Sequence, residues 1–197
     1  MGATQNLGGV FSAPSIVSEH LGPAVPAGNP AAADCALDAR APLVRRATMG
    51  DLDTLVNFSL ALCGESDGRL LDPDVVRAGV RTMLDGPDWL ILVAVNDAGC
   101  VVGEIMVGGR EWYDWANGEF WWITSVYVHP DWRRRGVGRA LYAKVREFAR
   151  LASPKVVGIR GCVRQDNTLA QAALNKLNRR YSGQLVFEER LNESPLR

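Results

Sequence analysis

The most concentrated positive charge of the sequence lies in RRRGVGR, residues 133–139. This segment stands between a hydrophobic stretch, 119–128, and a predicted amphipathic helix that begins near Val137. A helix N-terminus presents unpaired backbone N–H groups and a partial positive charge. Glycine lets an anion approach such a backbone closely, and arginine suits phosphate through its forked donors. The pattern indicates a phosphate-binding turn, and the alternative is a solvated basic turn with a flexible glycine hinge.

Two common nucleotide-binding motifs do not fit this segment. The sequence contains no GxxxxGK[ST] string, so a Walker-type loop is excluded. A GxGxxG dinucleotide fingerprint would need glycine at position 141, where the chain has Leu141. The class of phosphate compound that the turn binds must therefore be inferred from the strands and helices predicted around it.

Composition points to one globular domain with an appendage. The chain has 197 residues, 47% of them hydrophobic, and a formal net charge of zero with a pI near 6.7. A neutral chain argues against nucleic-acid binding, and the longest apolar run, 89–95, is too short to span a membrane. The cysteines are widely spaced and favour neither a zinc cluster nor a disulfide framework, which suggests a reducing, cytoplasmic location. They are Cys35, Cys63, Cys100 and Cys162.

The first part of the chain differs from the rest. Residues 1–42 are rich in Pro, Ala and Gly without a period, and such a segment buries too little apolar surface to offset its ordering entropy. We interpret it as a tail or linker, with a wrongly assigned start codon as the alternative, and it does not resemble a secretory signal. The patterned region, 43–190, is predicted to be the domain, followed by a short C-terminal tail, 191–197.

Hydrophobic periodicity predicts alternating strands and helices in the domain. Strands are predicted at 43–48, 89–95, 100–107, 119–128, 155–163 and 183–190, and helices at 51–62, 72–84, 137–151 and 167–177. Asp51 and Asp72 are the expected N-caps of the first two helices. The three strands between 89 and 128 should form an antiparallel meander, and the crossover helix forces a parallel pair between 119–128 and 155–163.

Three features together resemble the GNAT superfamily of N-acyltransferases. RRRGVG matches its Arg/Gln-x-x-Gly-x-Gly/Ala pyrophosphate loop, VYVHPDW is similar to its splayed strand and turn, and DNTLAQAAL is similar to its Asn-x-x-Ala helix start. The element order over 43–190 agrees as well. The resemblance implies an α/β fold with a mixed sheet of six to seven strands, flanking helices and a splayed central parallel pair.

The resemblance also implies a donor and its binding residues. The donor is expected to be acetyl-CoA, with its pyrophosphate on the backbone of the glycine turn and its pantetheine arm paired to the edge of the fourth strand by β-augmentation. The acetyl carbonyl should face a main-chain N–H near Val126, and no metal is implied. The expected donor-binding residues are Val126, Tyr127, Val128, Arg133, Arg134, Arg135, Gly136, Val137, Gly138, Arg139 and Asn167.

Acyl transfer to an amine needs a group that takes a proton from the ammonium, because such an amine is neutral about one time in 10³ at pH 7. Glu104 and Glu119 are candidate bases, although each is more simply interpreted as a solvated carboxylate on a strand face. Relatives commonly carry a Tyr acid seven residues after the helix-start Asn, where this chain has Leu174; Tyr181 is a distant substitute.

The long aromatic hairpin, 108–122, is predicted either to line an amine pocket or to pack on the sheet, with candidate residues Trp112, Tyr113, Asp114 and Trp122.

Three functions therefore remain open from the sequence. The first is an N-acetyltransferase acting on a small-molecule or peptide amine, as a monomer or homodimer, without nucleic-acid or membrane partners. The second, suggested by Leu174, is a catalytically weak or inactive acyl-CoA-binding module of the same fold. The third is a phosphate-anchored interaction domain for a protein or RNA partner.

Overall fold

The computed structural model describes residues 42–113, 117–152, 155–177, 179 and 181–183. The predicted N-terminal tail, the predicted last strand and the C-terminal tail lie almost entirely outside these residues. The strands are β1 (Leu43–Arg46), β2 (Leu90–Val95), β3 (Val101–Tyr113), β4 (Gly118–Val128) and β5 (Val156–Gly161). The helices are α1 (Leu52–Asp67), α2 (Pro73–Asp85), α3 (Val137–Leu151) and α4 (Thr168–Lys176).

The helix starts were predicted with mixed success. Asp72 caps α2 as expected, since its carboxylate accepts from the N–H groups of Asp74 and Val75. Asp51 makes no such cap at α1. Its carboxylate instead accepts two hydrogen bonds from Arg45, at 2.8 and 2.9 Å, and one from the Thr48 N–H at 2.7 Å. Asp51 therefore occupies the predicted N-cap position, but its side chain makes no capping bond because a bidentate arginine partner on β1 already holds the carboxylate.

The described strands form one mixed sheet in the order β1–β2–β3–β4–β5. The first four are antiparallel to their neighbours, and β4 and β5 are parallel. Both the predicted meander and the predicted parallel pair are therefore confirmed. The described residues contain five strands rather than six to seven, and the sixth strand predicted from the sequence, 183–190, falls outside them.

Helices cover both faces of the sheet. On one face, Val137, Leu141 and Val145 of α3 pack on inward side chains of β2, β3 and β4. On the other face, Leu55 and Val56 of α1 and residues of α2 pack on β2 and β3. We call these the α3 face and the α1 face. Burial of apolar side chains on both sides of a sheet gives the two layers of core that hold its strand positions fixed.

A one-residue bulge in β4 changes which face its side chains occupy. Ile123 is opposite Val107 while Ser125 is opposite Met106, so Thr124 is an extra residue in the strand. Ile123 packs on the α3 face, and after the bulge Val126 and Val128 pack on that same face. Ser125 and Tyr127 consequently lie on the α1 face, where the Tyr127 ring contacts Phe58 of α1. Bulges of this kind re-aim side chains and are common beside active sites.

The cysteines and the helices bear on two further expectations. Cys100 is disulfide-bonded, whereas Cys162 is a free thiol. The sequence favoured no disulfide framework, and the pairing of Cys100 goes against that expectation, because the spacing of cysteines along a chain does not show which of them meet in space. No helix among the described residues is both long and apolar enough to cross a membrane.

Candidate active site

The parallel strands β4 and β5 separate at their C-terminal ends. Their pairing runs from Glu119 opposite Val156 to Ile123 opposite Gly161, where β5 ends. β4 continues to Val128 and stays paired to β3 on its other side. The described chain therefore leaves a strand-wide opening beside residues 124–128, which we call the wedge.

Backbone groups of β4 point into the wedge. The His129 N–H donates to the Val102 carbonyl at 3.0 Å, so Val128 and Gly103 face each other as a non-hydrogen-bonded pair. The N–H and C=O groups of Val126 and Val128 are then directed away from β3, towards the wedge. The groups of Tyr127 point to β3, as the approach of its carbonyl to Gly103 confirms. Of the three predicted edge residues, Val126 offers its N–H and C=O to a strand-like ligand, Val128 offers its N–H because its carbonyl already accepts from Arg133, and Tyr127 offers neither.

The glycine turn opens on the same end of the sheet. A short 3-10 turn, Pro130–Trp132, leads from β4 to Gly136, which adopts the left-handed conformation (φ 85°) and begins α3. No side chain caps this helix, and its first described backbone bond runs from the Ala140 N–H to the Gly136 carbonyl. No atom lies within 4 Å of the position a Cβ would take at Gly136 or Gly138. The first amides of α3 thus face open space, as an anion site requires.

The arginines of the turn have different roles. Arg134, Arg135 and Arg139 are exposed, and Arg135 lies over the ring of Trp132. Arg133 instead donates to the Val128 carbonyl at 2.9 Å and pairs with Glu65 of α1 at 2.6 Å.

Glu65 links this arginine to β4. Its other carboxylate oxygen accepts from the Tyr127 hydroxyl at 3.1 Å, and burial followed by the Glu65 charge raises the pKa of Tyr127 to about 12. The ring of Tyr127 also lies under the Arg133 guanidinium. These contacts join the end of α1, the end of β4 and the start of the turn, so they support a positioning role for the Arg133 side chain.

Asn167 carries a buried donor with no partner. Its side-chain oxygen accepts from the Ala170 N–H at 2.9 Å and so caps α4, while the residue is only 4% exposed. Its Nδ2 has no hydrogen-bond partner among the described residues. A buried amide left unpaired costs about 1–3 kcal/mol, so this donor fits a ligand acceptor. Asn167 comes six residues after the end of β5, the strand on the other side of the wedge from β4.

Glu104 of β3 is a fully buried carboxylic acid. Its Oε1 accepts from the Ser125 hydroxyl at 2.6 Å, and its Oε2 has no partner among the described residues. Burial raises the pKa of Glu104 from 4.5 to about 7, against the smaller opposing effects of the Ser125 hydroxyl and the Tyr127 N–H. The interpretation of Glu104 as a solvated carboxylate is wrong, because α1 and the β4 bulge cover this part of the α1 face. An acid whose pKa lies near neutrality is suited to exchange protons during a reaction.

The family follows from this geometry and from sequence comparison. The model of the acetyltransferase (GNAT) family matches residues 65–178, which include the wedge, the glycine turn and Asn167. The chain belongs to the GNAT acetyltransferase family.

Solved GNAT-like structures agree with this membership. A possible acetyltransferase from Clostridium difficile 630 is 33% identical, with a TM-score of 0.69 over 78% of this chain and 100% of the other. An aminoglycoside 6'-N-acetyltransferase from Acinetobacter baumannii has 15% identity and a TM-score of 0.64, covering 77% and 99% of the two chains. The aminoglycoside N-acetyltransferase AAC(6')-Iy in complex with CoA has 18% identity and a TM-score of 0.65, covering 78% and 99%. No curated protein matches the sequence.

Of the remaining predicted site residues of this GNAT chain, Glu119 lies away from the wedge, whereas Trp122 comes directly before Ile123, where the pairing with β5 ends. Glu119 is seven strand positions before Val126, a distance of about 23 Å along β4. Trp122 pairs in register with Arg160, whose guanidinium lies 5.7 Å from the Trp122 ring. Tyr181 is exposed and follows the end of α4.

The aromatic hairpin likewise starts from the far end of β4. Trp112 is opposite Glu119, and Tyr113 is opposite Gly118, the first residue of the strand. The side chains of Trp112 and Tyr113, and Asp114 as a whole, lie outside what the structure describes. The register therefore does not bring the backbone of Trp112 and Tyr113 together with the wedge.

Two residues of the site were missed in the sequence. Ser125 donates to Glu104, and Glu65 holds Arg133. The adjacent hydroxyl residues Thr124 and Ser125 interrupt an otherwise apolar strand, which is a usable signal for a polar function inside a sheet. Glu65 gives no comparable signal, because its partner is 68 residues away in the chain.

Proposed function

We propose that this protein is an acetyl-CoA-dependent N-acetyltransferase that acetylates a primary amine within a ternary complex. The observation that carries this proposal is the wedge between β4 and β5, with the Val126 N–H directed into it and the bare amides of the glycine turn at its mouth. A binding cleft lined by an unpaired strand edge suits an extended amide-bearing arm, and the turn suits the diphosphate at the end of that arm.

Each part of the donor has a group to receive it. The pantetheine arm would pair with the outward-facing backbone of Val126 and Val128, and the diphosphate would lie on the amides of Arg134 to Arg139. The orphaned Nδ2 of Asn167 would donate to the donor from the opposite side. Complexes of similar structures with CoA and with a CoA bisubstrate analogue support acetyl-CoA as the donor.

The chain must supply a neutral amine, while acetyl-CoA supplies an acyl group activated as a thioester. Among the three candidate catalytic residues, Glu104 is the one at the level of the wedge, opposite Tyr127 and separated from the wedge by β4. Its raised pKa means that it can accept a proton near neutral pH and release it again. The Val126 N–H is placed to donate to the acetyl carbonyl as negative charge develops there.

The amine acceptor is proposed to be a small molecule. Two of the similar structures are named as aminoglycoside N-acetyltransferases, and both have the same fold with nearly their whole length aligned. These structures support the fold and, as the general class of acceptor, a primary amine. Their low identity to this chain means that they do not point to a particular compound.

A second candidate function is an acyl-CoA-binding module with weak or no turnover. Leu174, a half-buried side chain of α4, stands where relatives carry an acid for the leaving thiolate. A thiol has a pKa near 8.5 and leaves without strong assistance, so the active enzyme remains the preferred proposal.

Calorimetry with acetyl-CoA tests the proposed donor site. Wild-type protein should bind, and Gly138→Asp should reduce the affinity at least 100-fold by placing a carboxylate against the diphosphate. The substitution meets no neighbouring atom, and an acidic residue in the first turn should leave α3 as stable or slightly more stable. Equal affinity in a well-folded Gly138→Asp protein would refute the assignment of the turn.

Thiol release across a panel of primary amines then separates the two functions. An active enzyme releases CoA only when a suitable amine is present, whereas the binding module does not. Leu174→Tyr should raise the rate if protonation of the leaving thiolate limits turnover. A fast parent that gains nothing from the tyrosine would show that no acid is needed at this position.

A further inference from the structure

Ser125 lies between the buried Glu104 and the wedge. Glu104 is on β3, Ser125 is on β4, and the wedge occupies the next strand position beyond β4. The bulge at Thr124 places the Ser125 side chain on the α1 face, which Glu104 shares. The Ser125 hydroxyl donates to the Glu104 carboxyl at 2.6 Å. The three positions thus form a line across the sheet.

Glu104 cannot meet an amine in the wedge directly. Neighbouring strands are about 4.8 Å apart, so β3 lies two strand spacings, or about 10 Å, from the centre of the wedge. Glu104 is 0% exposed, whereas Ser125, on the strand that borders the wedge, is only partly buried. A proton that passes from the wedge to Glu104 needs a carrier on β4, and Ser125 is the residue on β4 that donates to the carboxyl.

We propose that Ser125 relays a proton from the ammonium group of the acceptor to Glu104. This inference rests on the proposed N-acetyltransferase function. The hydroxyl oxygen of Ser125 accepts a proton from the ammonium while its own proton passes to Oε1 of Glu104. The neutral nitrogen then forms the new C–N bond as the C–S bond of the thioester breaks. The departing thiolate takes the second proton from nitrogen, and Glu104 returns its proton to solvent through Ser125.

The surroundings of Glu104 suit a terminal proton acceptor. Oε2 of Glu104 is buried without a partner among the described residues. No charged side chain contributes to the shift in the pKa of this carboxyl. The other ionisable groups on this face are engaged or exposed. Glu65 of α1 binds Tyr127 of β4, Asp53 of α1 pairs with Arg77 of α2, and Asp74, Arg81 and Asp85 of α2 are exposed. A proton delivered by Ser125 therefore has Glu104 as its destination.

The test compares pH profiles of full-length variants. Steady-state rates with acetyl-CoA and a primary amine that the wild type acetylates are measured from pH 5.5 to 9.5 for wild type, Ser125→Ala, Ser125→Thr and Glu104→Gln. Thr82→Val serves as the control, because it removes a hydroxyl that bonds to the Ala78 carbonyl within α2, away from the wedge and from Glu104. Circular dichroism and acetyl-CoA titration confirm that each variant is folded and binds the donor.

The wild-type kcat should rise through an inflection near pH 7, the value expected for Glu104. Ser125→Ala and Glu104→Gln should both lose about 10²–10⁴-fold in kcat with an unchanged KM for acetyl-CoA, and the inflection should disappear. Ser125→Thr keeps a hydroxyl and should keep the inflection, as should Thr82→Val. If the wild type is active and Ser125→Ala retains both its rate and its inflection, the relay alone is overturned. If the wild type binds acetyl-CoA but acetylates no amine, the proposed function and the relay fall together.

Discussion

Replacing Glu104 by glutamine should make the stability of the protein less dependent on pH. The wild-type carboxyl is fully buried, and burial raises its pKa from 4.5 to about 7. The folded state therefore holds the proton more tightly than the unfolded state does. As pH rises from about 4.5 to about 7, the unfolded state loses its proton first, and folding becomes progressively less favourable. Above pH 7 the loss is complete and constant.

The size of this effect follows from the shift. Each pKa unit corresponds to about 1.4 kcal/mol, so the change from 4.5 to about 7 amounts to about 3 kcal/mol of stability lost between pH 4.5 and pH 8. Glutamine has a similar shape and does not titrate. The difference in unfolding free energy between Glu104→Gln and wild type should thus shift by about 3 kcal/mol in favour of the variant over this range. For a chain of this size, such a change moves the melting temperature by roughly 6–12 °C.

Urea and thermal unfolding of both proteins at pH 4.5, 6, 7 and 8 measure this difference. Met106→Leu is the control, because it lies on the same face of β3 and changes shape without changing charge; its effect on stability should be the same at every pH. A Glu104→Gln difference that stays flat across the range would show that burial does not perturb the acid. A variant that becomes relatively less stable as pH rises would show that Glu104 is held as a stabilised anion, and the reasoning would be refuted.

Three other substitutions test the groups around the wedge. Asn167→Ser should keep the cap of α4 but remove the orphaned Nδ2, so titration should show weaker acetyl-CoA binding, roughly tenfold, with an unchanged melting temperature; equal binding would contradict the role of the amide. Gly103→Ala should cost about 1–3 kcal/mol in urea unfolding, because its Cβ would meet the Tyr127 carbonyl and the Val137 side chain at 3.0 Å. Arg133→Lys should raise the KM for acetyl-CoA several-fold in steady-state assays, because one ammonium cannot reproduce the bonds to Val128 and Glu65. Its effect on stability should stay below about 1 kcal/mol, since that ion pair is partly exposed.

Features encoded by local sequence were predicted well. The helix that begins at Val137, the glycine turn before it and the helix that starts at Asn167 follow from residues close together in the chain, and the structure confirms each as an element. The parallel pairing of β4 and β5 was also predictable, because a crossover helix permits no other arrangement of adjacent strands. Local periodicity and chain connectivity were sufficient for these parts.

Features that depend on register were not predictable. The sequence gives no sign that Thr124 is an extra residue in β4, yet that single bulge decides that Ser125 faces α1 and Glu104 rather than α3. The burial of Glu104 follows from the same register, as does the separation of Glu119 from the wedge. A period-two pattern assigns faces correctly only while pairing is unbroken, and one inserted residue reverses every later assignment.

The bulge also explains how one strand can serve both substrates. After Thr124, the backbone of Val126 faces the wedge, while the intervening side chain of Ser125 faces the buried acid. The edge of β4 can then bind the donor through the backbone of Val126, while the Ser125 hydroxyl of the same strand transfers the proton. The two functions use different atoms. Without the bulge, Ser125 would lie in the apolar core beneath α3, its hydroxyl would lose Glu104, and the acid would retain a raised pKa with no path to the amine.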